Sequence, residues 1–274
     1  MLALKADLHV HSHYSDGSDS VEAVLERAKT AGVEAISFVD HDTVAGWPEI
    51  QALSTAHGIK AVPGIEISAY DFKRKRKVHI LGYEYNPDAS HIKPLCDKLL
   101  ERRHHHSLWQ IEQIKAAGYE LDAEAVIASA LPSRTVYKQH IMKELTDADY
   151  SSQEYQQIYK RLFKGQGPAS GDIDYIDAFD AVKAIKADGG LAVIAHPGQL
   201  DSYDLIPELV EAGLDGIERN HMDHSTEDHQ RVEKLADEYK LVMTGGTDYH
   251  GAFGTSVEIG NISSPVAVNN FKSL

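Results

Sequence analysis

Short apolar runs rich in β-branched residues alternate with helical patterns along most of the chain. No other feature limits the fold as strongly. The segments LKADLHVHS, EAISFVD, IKAVPGIEIS, KVHILGYEY, GGLAVIAHP, LDGIERN and LVMTGGTDYH read as seven strands. Helical patterns lie between or after them: SVEAVLERAKTAG, which stops at Gly32, and the stretches 47–57, 178–187, 205–212 and 226–239. Such alternation predicts an α/β fold with a parallel sheet, and seven units favour a closed or nearly closed barrel. An open doubly wound sheet is the alternative. Neither the GxGxxG fingerprint nor the GxxxxGK[ST] phosphate loop occurs.

From about 86 to 174 the rhythm breaks into helical patterns without a convincing strand. That stretch is too long for an ordinary loop. We expect residues 1–86 and 175–274 to build the barrel and 87–174 a helical insertion that caps one end of it. A cap would cover the C-terminal rim, where barrel loops carry the functional residues.

Composition excludes several classes. The 274 residues carry a formal net charge of −15 and a single cysteine, Cys96. The charge disfavours a long nucleic-acid backbone, so no duplex partner is expected. A lone cysteine excludes a disulfide framework and a cysteine-based zinc finger, and fits a cytoplasmic location. No apolar run approaches a membrane span, and Lys5 interrupts the short apolar start, so neither a membrane partner nor a secretory signal is expected.

The chemistry-bearing residues concentrate where the strand runs end. His9 and His11 stand at i, i+2 and share a strand face. His41 follows the second run, Glu66 lies in the third, His79 in the fourth, and His196 after a later one. The last run ends in Asp248 and His250, and Asp16 sits in the turn YSDGS, where Gly17 permits a tight bend. If the strands run parallel, these residues converge on one rim. A core needs no polar residue at successive strand ends. The set His9, His11, Asp16, His41, Glu66, His79, His196, Asp248 and His250 therefore reads as ligands for two or three divalent ions of the zinc, manganese or iron kind. Asp7, Asp40 and Asp42 are candidates to orient the imidazoles. His13 falls in the turn and is left out. His57, His91, His140 and His229 read as surface residues, and the run His104, His105, His106 as a solvated helix face.

The motifs DLHVHSHYSDGS, VDHDTVAG, PGIEIS, VHILGY, IAHPG and GTDYHG resemble the successive motifs of the PHP (polymerase and histidinol phosphatase) phosphoesterases. The match covers roughly 5–85 and 175–255. The resemblance implies a distorted (β/α)7 barrel with a two- or three-metal rim site. It implies that His9, His11, Glu66 and Asp248 hold one ion and that Asp16, His41 and His250 hold a second. Glu66, His79 and His196 would hold the third.

The insertion resembles the branch acting on nucleoside monophosphates and 3′,5′-bisphosphates, some of whose members trim short RNA from the 5′ end. In that branch an insertion arginine, usually followed by Pro-His, meets the substrate phosphate. The matching segment is SRTVYKQHI, with Arg134 in place but Thr135 and Val136 where Pro and His are usual. Lys138 is a further substrate contact or a helix-surface lysine. His224, in IERNHMDHS, is a candidate phosphate contact or proton donor, and Arg219 either a second anion contact or the partner of a surface carboxylate. His221, Tyr137 and Trp109 either stack on a base or serve the core and helix surface. The expected reaction is metal-assisted hydrolysis of a small phosphomonoester, with histidinol phosphate as an alternative substrate and a non-catalytic module as an alternative role.

Overall fold

The computed structural model describes residues 4–265 and 271. The end of the expected 175–274 segment, at 266–270 and 272–274, lies outside the described residues. The chain begins with β1 (Ala6–Val10), α1 (Val21–Thr30), β2 (Ala35–Phe38), α2 (Trp47–His57), β3 (Lys60–Ala61), β4 (Gly64–Asp71) and β5 (Arg76–Tyr83). Four helices follow: α3 (Ile92–Ala116), α4 (Ala123–Ser129), α5 (Lys138–Leu145) and α6 (Gln153–Phe163). The remainder is β6 (Ile176–Asp177), α7 (Ala178–Ala187), β7 (Leu191–Ile194), α8 (Ile206–Glu211), β8 (Gly216–Asn220), α9 (Thr226–Tyr239) and β9 (Val242–Gly245).

These elements start where local chemistry allows. Ser20 accepts from the Ala23 N–H to open α1, whose buried residues Val21, Val24, Leu25 and Ala28 repeat at helical spacing. Ser225 and Asp228 form a reciprocal capping box that opens α9.

Among the described residues, nine strands form a mixed α/β structure of two sheets, β1-β2-β3 and β6-β4-β5-β7-β8-β9. Isolated parallel bridges link the sheets at both seams, Val10 to Tyr249 and His41 to Glu66. Leu8, Val39, Leu81, Tyr83 and Val193 share one buried cluster, so both sheets face a common interior.

Two expectations need correction. The run IKAVPGIEIS is two strands, divided by Val62 and Pro63. Also, β5 runs antiparallel to both β4 and β7. The cause is connection length: four residues, 72–75, separate β4 from β5, enough for a hairpin and far too few for a parallel crossover. The β4–β5 hairpin therefore extends past the rim, with Glu66 near its base and Lys77 near its tip.

No strand interrupts the described segment between β5 and β6. Its helices share a separate apolar cluster of Ile111, Ile114, Val126, Ile141, Met142, Leu162 and Phe163. The long helix α3 belongs to two cores: Ile92, Cys96 and Leu99 pack with the sheet-side residues, Ile111 and Ile114 with the other helices.

Candidate metal centre

All nine expected residues meet at one end of the strands. Most stand just past a strand end: His11 after β1, His41 after β2, His196 after β7, Asp248 and His250 after β9. Loop backbone brings them inward. The His11 N–H donates to the Tyr249 carbonyl and the Asp248 N–H to the His9 carbonyl, both at 2.8 Å. Asp42, His196 and Asp248 have φ of 60°, 24° and 51°. These are left-handed conformations costly for non-glycine residues and held by the surrounding contacts. Gly17 shapes the first loop, though through close approach rather than an unusual φ. A Cβ there would lie 2.8 Å from the His11 carbonyl oxygen.

The Glu66 carboxylate is the hub. Its Oε2 lies 3.1 Å from His11 Nε2, 3.3 Å from His9 Nε2 and 3.5 Å from His41 Nδ1. Its Oε1 lies 2.8 Å from His79 Nδ1 and 3.0 Å from His196 Nε2. Three groups each bring one donor atom per residue within 4.8 Å of one another: His9, His11, Glu66 and Asp248; His11, Asp16, His41 and His250; His41, Glu66 and His79. The first is the set implied for the first ion. The second adds His11 to the implied trio, and the third contains His41 where His196 was implied. His196 still reaches the same Glu66 oxygen as His79.

This arrangement suits cations. Both ring nitrogens of His11, and Nδ1 of His41 and His196, are buried without a hydrogen-bond partner, an uncommon state unless something else coordinates them. Burial disfavours the imidazolium form of His9, yet the carboxylates of Glu218, Glu66 and Asp248 outweigh it and hold the ring well above its usual range. Burial alone would raise Glu66 and Asp248; the neighbouring imidazoles instead hold both well below the usual carboxylate range. His41, where burial prevails, falls to about 4. The alternation of acids and imidazoles is the neutral-nitrogen and carboxylate chemistry that divalent metals select.

The three aspartates expected to orient imidazoles do something else. Asp7 accepts from the Thr247 N–H and hydroxyl and from the Gly260 N–H, tying β1 to the chain after β9. Asp40 accepts from the Ser12 N–H and from the hydroxyls of Ser12 and Ser15, fixing the turn that carries Asp16. Asp42 accepts from the Ser68 N–H and from Arg103. None of them bonds a ring. The orienting residue is Glu218, fully buried in β8. Its Oε1 is 2.8 Å from His9 Nδ1 and its Oε2 accepts from the His196 N–H at 2.8 Å. The sequence signal lay in LDGIERN, where a carboxylate stands near a strand end as at the other positions.

The substrate-side expectations divide. A cavity of about 470 Å³ opens on Asp16, His41 and His79, and is lined also by Lys77, Arg103, Lys138 and Lys164 with Tyr137, Tyr155, Tyr159 and Tyr175. Lys138 is in it. Arg134 is exposed and lines a different cavity, with Trp47, Cys96 and Lys93. Arg103, which sequence reasoning missed, occupies the site-side cavity, donating to Asp42 at 2.8 Å and Ser68 Oγ at 2.9 Å. Arg219 pairs with Glu233 at 2.9 Å. His224 Nε2 accepts from the Gly198 N–H and its Nδ1 faces the Arg219 carbonyl, so both ring nitrogens are engaged by backbone. His221 is buried against Asp248, at 3.2 Å. Tyr137 is buried and its hydroxyl donates to the His41 carbonyl. Trp109 is exposed beside His106.

Two surface readings are overturned. His140 is buried because its Nδ1 accepts from the Tyr137 N–H at the start of α5, which faces the site. His106 lines the cavity rather than solvent, whereas His105 is exposed.

A sequence model of the PHP domain matches residues 7–240. The chain belongs to the PHP family. It is thereby a hydrolase, a phosphoesterase of the metal-dependent kind. This PHP chain is 53% identical, over 93% of its length and 97% of the relative's, to a protein of Eggerthella lenta named phosphoribosyl 1,2-cyclic phosphate 1,2-diphosphodiesterase. It is 27% identical to the 3′,5′-nucleoside bisphosphate phosphatase of Chromobacterium violaceum, over 89% of this chain and 86% of that one. A crystal structure described as a putative metal-dependent phosphoesterase from Bifidobacterium adolescentis matches with a TM-score of 0.85 and 25% identity, covering 94% of this PHP chain and 92% of the other. Among the described residues, no helix of this PHP protein is long and apolar enough to cross a membrane.

Proposed function

We propose that this enzyme hydrolyses a small phosphorylated ribose, and that a phosphoribosyl cyclic phosphate is its preferred substrate. The observation that carries the reading is one cavity that joins the imidazole and carboxylate cluster to a set of lysines and an arginine in a strongly acidic chain. The 53% identity to the Eggerthella lenta enzyme supports the choice of substrate. So does the departure at Thr135 and Val136 from the nucleotidase pattern.

In this reading His9, His11, Glu66 and Asp248 hold one divalent ion, Asp16, His41 and His250 a second, and Glu66, His79 and His196 complete a third position. Zinc, manganese and iron all suit these donors. Such ions would neutralise phosphoryl oxygens and acidify a water. Glu218 fixes the His9 tautomer by accepting from Nδ1, leaving Nε2 to face the site. Arg103 takes the anion contact expected of Arg134. It is anchored by Asp42 and Ser68 and lies 5.0 Å over the Tyr137 ring, so its guanidinium is held at the cavity wall. Because both His224 nitrogens bond backbone, His224 ties the loop at 198 to the end of β8, and solvent protonates the leaving oxygen.

The two sheets read as two arcs of a distorted (β/α)7 barrel, supported by the seam bridges and the shared interior. Segment 87–174 reads as its cap, supported by a separate apolar core. The buried lone cysteine fits a cytoplasmic enzyme.

A second reading is hydrolysis of nucleoside 3′,5′-bisphosphates, favoured by the cavity tyrosines, whose rings could stack on a base. The deciding experiment is phosphate release from phosphoribosyl 1,2-cyclic phosphate, nucleoside mono- and bisphosphates, short 5′-phosphorylated RNA and histidinol phosphate, with manganese and zinc compared. Turnover of the bisphosphate without the cyclic sugar phosphate would reverse the order of the two readings.

A further inference from the structure

Lys77, Lys138 and Lys164 come from three separate elements, the β4–β5 hairpin, the first residue of α5 and the residue after α6, yet line the same cavity. Among the described residues, only Lys77 of the three has a carboxylate partner, Asp172 at 2.6 Å. Lys138 Nζ lies 5.7 Å over the Phe163 ring and Lys164 Nζ 5.6 Å over the Tyr159 ring. Aromatic faces give weak support to a cation compared with a carboxylate. Lys138 is poorly placed for helix stability as well, since a cation at a helix start opposes the macrodipole. Burial and the nearby charges of Lys77, Lys164 and Arg103 push Lys138 down to about 8, with Asp172 opposing. Three ammonium groups crowded into a partly enclosed wall, facing one carboxylate, are stable together when an anion lies between them.

We infer that these lysines form a second anion subsite that holds the non-reacting phosphate of a substrate carrying two phosphoryl groups. The reacting phosphoester lies where the same cavity opens on Asp16, His41 and His79. The cavity volume is that of a small-ligand site and suits a phosphorylated pentose reaching both sets of residues. The subsite makes the enzyme selective for doubly phosphorylated substrates, because a singly phosphorylated one leaves the lysine wall without its counter-charge. This inference rests on the proposed function for the identity of the reacting end only.

The test compares Lys138→Met/Lys164→Met with wild type on two pairs of substrates differing solely in the remote phosphate. The pairs are phosphoribosyl 1,2-cyclic phosphate with ribose 1,2-cyclic phosphate, and a nucleoside 3′,5′-bisphosphate with the 3′-monophosphate. Thermal melting and metal content control for folding. We expect wild type to prefer the doubly phosphorylated member in kcat/KM by about 100-fold or more, and the double variant to lose at least tenfold of that preference, chiefly through KM. Retention of the full preference by the double variant would overturn the subsite, as would a wild type without preference in whichever pair it hydrolyses. Failure of the substrate assignment is distinguishable: it appears as turnover of the nucleoside pair alone, on which the same ratio is read.

Discussion

Glu218→Gln should weaken the metal centre without removing a ligand. The carboxylate serves two donors, the His9 ring at 2.8 Å and the His196 N–H at 2.8 Å. A glutamine can accept from only one of them. If its oxygen faces His9, its amide N–H₂ points at the His196 N–H, donor against donor, in a fully buried place. Leaving such a buried group unpaired costs about 1–3 kcal/mol. His196 holds a φ of 24°, so its backbone would relax once that bond is lost, moving its ring off Glu66. Loss of an outer partner of a ligating histidine lowers metal affinity or activity by roughly 10–100-fold, or about 1.4–2.8 kcal/mol at 1.4 kcal/mol per decade. Metal titration calorimetry and steady-state phosphate release would read both effects, with a melting curve to confirm folding. A folded E218Q protein with wild-type metal affinity and kcat would refute the assignment of Glu218 as the group that orients His9 and secures His196.

Four further outcomes are expected. Chelation should abolish turnover and lower the melting temperature, since the ligand carboxylates and unpartnered imidazoles would lose the charge that binds them together; full activity of the metal-depleted protein would contradict the mechanism. His11→Ala should eliminate activity and reduce bound metal, whereas His13→Ala, two residues on and outside every ligand group, should retain both; equal losses would undo that distinction. Arg103→Met should raise KM and cut kcat/KM at least tenfold, with Arg103→Lys recovering little because the guanidinium spends one nitrogen on Asp42 and Ser68 and keeps its other N–H groups for an anion, whereas a lysine bonded to both would retain a single donor; near-complete recovery would reduce Arg103 to a point charge.

The fourth concerns pH. Lys138 titrates near 8 in the folded chain against about 10.4 when unfolded. Between those values the unfolded state binds more protons, so this residue's contribution to stability rises with pH. Below pH 8 its buried charge is a fixed destabilisation. Wild type should therefore gain on Lys138→Met in melting temperature as pH rises from 8 towards 10, while anion binding weakens over the same window. Parallel melting profiles would exclude it.

The clustered histidines and carboxylates were legible because most stand at or just past the ends of strand runs. His9 and His11 at i, i+2 read as one face of an extended stretch, whereas Asp248 and His250 lie past β9, where the φ of 51° at Asp248 breaks that alternation. The residues that escaped reading depend on contacts between distant segments. Glu218 resembles an ordinary strand acid until the fold brings its side chain to the His9 ring of β1. Arg103 is one of several charges on a long helix, and only its bonds to Asp42 and Ser68, distant in sequence, mark it as facing inward. Arg134 sits in the segment with the motif yet faces away, since the chain there is bound through Ser133 and Thr135, with Thr135 Oγ1 donating to the Leu100 carbonyl. The antiparallel β5 was readable: a four-residue connection leaves no alternative to a hairpin.

The double allegiance of α3 bears on how enzymes of this kind diversify. The helix enters the sheet-side core through Ile92, Cys96 and Leu99 and leaves it before Ile111 and Ile114 join the core shared with α4, α5 and α6. The cluster at the strand ends is built by chain that precedes that crossing and by chain that follows β6. Everything that shapes the lysine wall, apart from Lys77, follows the crossing. A chimaera that keeps α3 as far as Arg103 and exchanges the chain from there to β6 would inherit one parent's chemistry and the other's choice of substrate, with only Ile173 and Tyr175 of the exchanged chain packing against the sheet-side core.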